Sequence, residues 1–216
     1  MSVDIITAID RKGADAERIA AMVIDSPTHI PRLLEAIGER KARVKYGAEK
    51  VLRAVSERRP GLLDPWFRDF VRLLDAENSF IRWGAIRTVA NLAAAGTDDR
   101  VAGIFRKYFA PLKGPDMVTA VSVIGGATVI ARAKPAMADR IAREILKVET
   151  AAYRMHDAPS PECRNVACGQ AIDALDTLYG AIHRKKPVVE FVRRQLRCTR
   201  PAVRKKSAAF LSRHGL

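Results

Sequence analysis

The chain has 216 residues, 38 basic against 24 acidic, giving a formal net charge of +14. With 48% hydrophobic and 29% charged residues it carries the apolar mass of a full core, which excludes a disordered chain. The length allows one domain or two small ones. The longest uncharged run is the 15 residues Met117 to Ala131, shorter than the roughly 18 residues of a membrane span and holding Thr, Ser and two Gly, so no membrane span is expected. The N-terminus carries Asp4 and Asp10 and lacks the basic-then-apolar layout of a signal peptide. Three cysteines (163, 168 and 198) form an odd set without a C-x-x-C, so a reducing, cytoplasmic location is expected rather than a disulfide framework.

Helical periodicity dominates, with no alternating run long enough for a strand. Residues 3–25 read as one or two helices, which assigns 1–26 to an N-terminal cap and 27–216 to a repeat array within a single structural domain. Ile30, Leu34 and Ile37 recur as Phe67, Val71 and Leu74, 37 residues later. A second pattern has core positions at 0, +4, +7, +8 and +11. Val44, Ala48, Val51, Leu52 and Val55 fit it, and Ile81, Ala85, Thr88, Val89 and Leu92 fit it again. Val118, Ser122, Gly125, Gly126 and Val129 follow, then Ala167, Ala171, Ala174, Leu175 and Leu178, then Val203, Ser207, Phe210 and Leu211. The wider fourth spacing is assigned to an inserted loop at Asp157-Ala-Pro-Ser-Pro161, and starting the fourth set at Val166 would restore the 37-residue period. First helices are expected near 29–38, 65–74, 98–110, 135–149 and 187–197. Second helices are expected near 42–57, 79–94, 116–131, 161–182 and 200–213.

These residues resemble the HEAT-repeat, armadillo-like helical family. Leu63-Asp-Pro-Trp-Phe67 opens one helix and Ile81-Arg-Trp-Gly-Ala-Ile-Arg-Thr-Val89 the next; Val44-Lys-Tyr-Gly-Ala48 and Val203-Arg-Lys-Lys-Ser207 are similar, while Thr119 and Cys168 depart from the basic residue. The resemblance covers about 27–213. It implies an all-α solenoid, a right-handed α-α superhelix of about five helical hairpins, with second helices lining a concave side. It does not imply one activity.

Lys45, Arg82 and Arg204 share a column. They read either as a row of phosphate contacts or as bonds to the preceding turn or neighbouring repeat, with Glu39 and Asp75 as acceptors. Tyr46 and Trp83 align at +2, Lys50 and Arg87 at +6, and Arg53 and Asn91 extend that face. Aromatic and cationic groups together anchor protein interfaces or meet bases and phosphates. The alternative is that the rings pack between repeats and the cations are merely solvated. Residues 184–213 hold 11 basic residues and one acidic, a net +10, against +4 for the first 183 residues. Arg184, Lys185, Lys186, Arg193, Arg194, Arg197, Arg200, Arg204, Lys205 and Lys206 form this patch, which favours nucleic acid, acidic protein or anionic lipid, or else serves as a soluble terminal cap.

No catalytic set, metal site or cofactor motif is expected. His29, His156, His183 and His214 are scattered, and Cys163 and Cys168 at i, i+5 lie on poorly matched helix faces, so His156 completes no metal site. Gly125-Gly126 lacks a following Lys-Ser/Thr and is assigned to close helix packing. A weaker similarity is to the HEAT-like alkylpurine DNA glycosylases, whose chemistry is attributed to aromatics, an Asp and an Arg on the concave face. Trp83 and Arg87 supply part of that set; Asp69 or Asp173 would have to be brought in by folding, and no catalytic residue is carried over. The leading expectation is a non-enzymatic scaffold that binds a partner protein on its concave face. DNA or RNA binding, with or without base excision, is the alternative, and the oligomeric state stays open.

Overall fold

The computed structural model describes residues 4–216, except for the side chains of Asp98 and Asp99. Residues 1–3 of the anticipated cap lie outside the described residues. The chain divides into two compact units, Met1–Val101 and Ala102–Leu216.

The first unit holds α1 (Ile5–Asp10), α2 (Ala16–Asp25), α3 (Ile30–Ala36), α4 (Ala42–Arg58), α5 (Phe67–Arg72) and α6 (Ser79–Ala95). Short polar side chains start three of these helices. Asp4 accepts from the Ile6 and Thr7 amides, Asp15 from those of Glu17 and Arg18, and Asn78 from those of Phe80 and Ile81. The long helices α4 and α6 pack side by side, with α1, α2 and α3 against α4 and α5 against α6. Every assigned core position of α4 and α6 is buried. The first helices differ from expectation. Leu34, Phe67, Val71 and Leu74 are only half-buried, and Leu33, Leu63 and Phe70 fill the core instead. The helix expected at 65–74 is composite: α5 runs between 3-10 turns at Pro60–Trp66 and Leu73–Asp75. Pro60 and Pro65 lack the amide hydrogens that would continue a longer α-helix ladder.

The second unit holds most of α7 (Asp98–Phe109), then α8 (Met117–Ala133), α9 (Ala138–Ile145), β1 (Arg154–Met155), β2 (Ala158–Pro159), α10 (Pro161–Leu178), α11 (Lys185–Gln195) and α12 (Pro201–Arg213). The helix expected at 135–149 is again composite, α9 between two 3-10 turns, and α10 stops at Leu178 rather than 182. Within this unit α8 packs on α10, and α10 on α12.

Two details correct the sequence reading. In α8, Val118 and Val129 are 42% and 40% exposed and Gly125 is exposed too, so they are not core. The buried set is Thr119, Val123, Gly126, Ala127 and Ile130, the same spacing one residue later. Gly126 is buried, whereas Gly125 takes no part in close packing, since nothing lies within 4 Å of a Cβ added there. In α10 the Ala167 register is correct and Val166 is half-buried. The insertion before α10 is a small hairpin. Arg154 pairs with Pro159 across a turn in which His156 and Asp157 have positive φ. The buried Tyr153 hydroxyl donates to the Leu112 carbonyl at 2.7 Å, and the Arg154 amide to Pro115 at 2.9 Å, which fastens the insertion to the segment before α8.

Among the described residues no helix is long and apolar enough to cross a membrane, and no three His, Cys, Asp or Glu side chains are grouped as metal ligands. Cys163 and Cys168 are buried free thiols; burial pushes the Cys168 thiol up to about 12, with Glu149 and Cys198 adding to the shift.

Candidate functional site

Tyr46 stands on α4 two residues after the buried Val44, on the side turned away from the core positions, and Trp83 holds the matching place after Ile81 on α6. Phe80, 64% exposed in the first turn of α6, stands between them. Its ring meets Tyr46 at 5.7 Å and Trp83 at 5.3 Å, both edge to face, the geometry that favours aromatic pairs. Asn78, which caps α6, also donates to the Tyr46 hydroxyl at 3.0 Å. The α6 cap thus fixes the outer edge of a three-ring cluster spanning two second helices. Sequence reasoning missed Phe80, because an apolar residue beside the core position Ile81 reads as core.

The cations of this face divide into two kinds. Arg53 is held between Glu49 (3.3 Å) and Glu57 (3.1 Å), one turn away on either side. Asn91 donates to Ser56 at 2.9 Å, and Ser56 in turn bonds the Arg53 carbonyl, tying α6 to α4. Arg53 is therefore held within α4, and Asn91 joins the two helices. Lys50 and Arg87 are exposed. Both flank Glu49, a carboxylate that sequence reasoning did not single out. Burial raises the Glu49 pKa above its ordinary value, and the charges of Arg53, Lys50 and Arg87 oppose that rise. Glu49 reaches this place because Gly84 has no side chain: a Cβ there would lie 2.0 Å from Glu49 Oε1. Gly47, in the same column, similarly faces Ile9 of α1, where a Cβ would lie 3.1 Å from the Ile9 Cβ. The rings do pack between repeats, and two of the cations do reach solvent beside them.

The basic column is structural at two of its three places. Arg82 donates to the Ala76 carbonyl at 3.0 Å, and Arg204 to the Cys198 carbonyl at 2.9 Å, each six residues back. Arg204 also reaches the Thr199 carbonyl at 3.1 Å. Both arginines close the turn that leads into their own helix through backbone oxygens, and Arg82 also donates to the Ser79 hydroxyl at 3.4 Å.

Much of the C-terminal patch is neutralised within the second unit. Arg194 grips Glu149 with two bonds of 2.8 Å, Arg200 pairs with Glu162, and Lys206 with Asp173. Arg213 pairs with Asp176, which also accepts from the His214 Nε2 at 2.8 Å. Lys185 lies over the Tyr179 ring at 4.7 Å. The exposed side chains of Arg184, Lys186, Arg193, Arg197 and Lys205 make no such contacts.

No family model matches this chain, and no curated protein matches it. Solved structures do. A designed armadillo repeat protein in complex with the peptide (KR)4 superposes with a TM-score of 0.54 over 96% of this chain and 89% of its own, at 16% identity. A second designed armadillo repeat protein gives 0.52 over 96% and 89% at 14% identity. A crystal structure of an engineered protein gives 0.52 over 97% and 86% at 17% identity. The chain therefore has an all-α helical-repeat fold of the armadillo and HEAT kind.

Proposed function

We propose that this chain is a non-enzymatic binding scaffold, and that the open, concave face of α4 and α6 takes an extended acidic segment of a partner protein. The observation that carries this reading is the exposed Phe80, clasped by Tyr46 and Trp83 and flanked by Lys50 and Arg87. An exposed ring held rigid by its neighbours is a low-entropy anchor, and aromatic and Arg side chains dominate interface energetics. The designed neighbour holds a peptide of alternating Lys and Arg. Here, among the described residues, the exposed cations Lys50 and Arg87 have no acid bound to them on the face, and the one exposed carboxylate, Glu57, is paired by Arg53, so the matching peptide is of opposite sign.

The test uses fluorescein-labelled (DE)4 and (KR)4 peptides and fluorescence anisotropy. The acidic peptide binds and the basic one does not. Phe80→Ala weakens binding by about tenfold, the loss of a modest anchor, and Lys50→Glu with Arg87→Glu abolishes it. Equal affinity for both peptides, or affinity unchanged in these variants, would refute the assignment. The competing reading is DNA or RNA bound through backbone charge. It draws on Arg184, Lys186, Arg193, Arg197 and Lys205, and it requires steep salt dependence that Lys205→Glu reduces while Phe80→Ala does not.

A further inference from the structure

The turn between α1 and α2 leans over the N-terminal half of α4 and leaves a groove of about 390 Å³, in the size range of small-ligand sites. Its walls carry Arg11 and Lys12 from the turn, and Arg43, Tyr46 and Lys50 from α4; the remaining lining residues are glycine or apolar. No carboxylate lines it. The two acids that flank the turn are directed elsewhere. Asp10 pairs with Lys41 at 2.5 Å, outside the lining, and Asp15 caps α2. Arg43 uses one guanidinium nitrogen on the Asp10 carbonyl at 2.9 Å, which fixes its head against the turn. Four cations thus line one groove that no carboxylate enters, Glu49 beside Lys50 being turned to Arg53 and Gly84, and three of them come from positions the sequence pattern did not mark.

Self-repulsion among like charges in a shared groove is unfavourable, and a bound anion relieves it. A carboxylate offers one charge and two acceptor oxygens. A phosphate monoester offers nearly two charges and three acceptors, and Arg and Lys donors together match it better. The groove also shares Tyr46 and Lys50 with the face formed by α4 and α6, so a peptide lying on that face reaches it without leaving the surface.

We propose that this groove is a phosphate-monoester site, and that its occupant is a phosphorylated side chain of the peptide bound on the α4–α6 face. The identity of the carrier rests on the acidic-peptide reading above; the anion site rests on the groove itself. Two acidic peptides are compared, identical except that one carries phosphoserine near its end, with inorganic phosphate and a single-stranded oligonucleotide as further probes. Phosphorylation tightens binding by about tenfold or more, the yield of one or two charge-assisted hydrogen bonds. Arg11→Gln with Lys12→Gln removes that gain, while the unphosphorylated peptide, which makes no contact with the phosphate donors, keeps most of its affinity, so the ratio of the two affinities falls to near one. Both substitutions fall in an exposed turn, and an unchanged melting temperature verifies folding. Inorganic phosphate at constant ionic strength shifts the amide resonances of residues 11–14 in the wild type alone. Absence of a phosphate-dependent gain, or a gain that survives in the double variant, overturns the proposal while the face reading stands. Failure of the unphosphorylated peptide to bind, with the phosphate-dependent signal intact, sinks the face reading and leaves the groove. Binding of the oligonucleotide as tightly as the phosphopeptide, with the same dependence on Arg11 and Lys12, overturns the side-chain occupant.

Discussion

Gly84→Ala is expected to destabilise the first unit, although alanine is the better helix former. In the interior of a helix the exchange contributes about 0.8–1 kcal/mol of stability by propensity alone. At Gly84 the new Cβ would lie 2.0 Å from Glu49 Oε1, 2.4 Å from Cδ and 2.7 Å from Cγ. Glu49 must therefore swing away, since its whole outer half is in the path. Its departure loosens the pair with Arg53, whose side chain is 26% exposed against 14% for Glu49, at a cost of about 0.5 kcal/mol. Repacking α4 against α6 costs about 1–3 kcal/mol more. The balance is a loss of about 1–2 kcal/mol. Removing the obstacle reverses the sign: in a Glu49→Ala background, Gly84→Ala stabilises by about 1 kcal/mol, a coupling of about 2–3 kcal/mol for residues in direct contact. Both tryptophans, Trp66 and Trp83, lie in the first unit, so denaturant unfolding followed by their fluorescence places the probe in this unit. Gly125→Ala in α8 is the control, since its Cβ meets nothing within 4 Å; by far-UV circular dichroism it is expected to stabilise by about 1 kcal/mol. A Gly84→Ala protein more stable than wild type, or the same effect with and without Glu49, would refute the close-approach account.

The Glu49 carboxyl also gives a pH signature. Its folded pKa lies above the ordinary 4.5 because of burial, so the unfolded chain loses this proton first. The contribution of this group to stability is full below 4.5 and is lost as pH rises through the folded value. Glu49→Gln should therefore compare more favourably with wild type at pH 7 than at pH 4 in matched urea titrations; the opposite trend would mean that the Arg53 pairing outweighs burial. In the second unit, Arg204→Ala removes two bonds to turn carbonyls and should cost about 1 kcal/mol, while Lys205→Ala stays within about 0.5 kcal/mol of wild type. Equal melting shifts for the two variants would show that the Arg204 bonds contribute nothing to the turn.

The helix order was legible because polar faces set the phase. In α4, Lys45, Glu49, Lys50 and Arg53 leave one orientation for Val44, Ala48 and Val51, and the buried set follows directly. In α8 that marker is missing. Met117 to Ala131 is uncharged, and the same 0, +4, +7, +8, +11 template fits from Val118 or from Thr119, so only packing decides. The candidate face was legible in its columns and not in its centre. Exposure of Phe80 depends on where α6 begins, which the Asn78 cap fixes. The position of Glu49 depends on Gly84, 35 residues away. Ion pairing of the C-terminal cations was illegible for the same reason: their partners lie 33 to 45 residues upstream in sequence.

That last point changes which region deserves the name of a basic site. By sequence the excess of +10 lies at 184–213, and the first 183 residues carry only +4. Folding redistributes it. Glu149, Glu162, Asp173 and Asp176 are brought onto Arg194, Arg200, Lys206 and Arg213, Arg204 turns to backbone carbonyls, and the remaining exposed cations are interspersed among these pairs. A surface of alternating pairs and solvated charges is screened within a Debye length of about 8 Å in physiological salt. In the first unit the acids do the reverse. Asp10 and Asp15 are drawn to Lys41 and to a helix terminus, Glu57 to Arg53, and the groove lined by Arg11, Lys12, Arg43 and Lys50 is left without a carboxylate. A ligand responds to unpaired charge in a recess beside an anchor, and that condition is met beside Tyr46 and Phe80, where the sequence reads as nearly neutral.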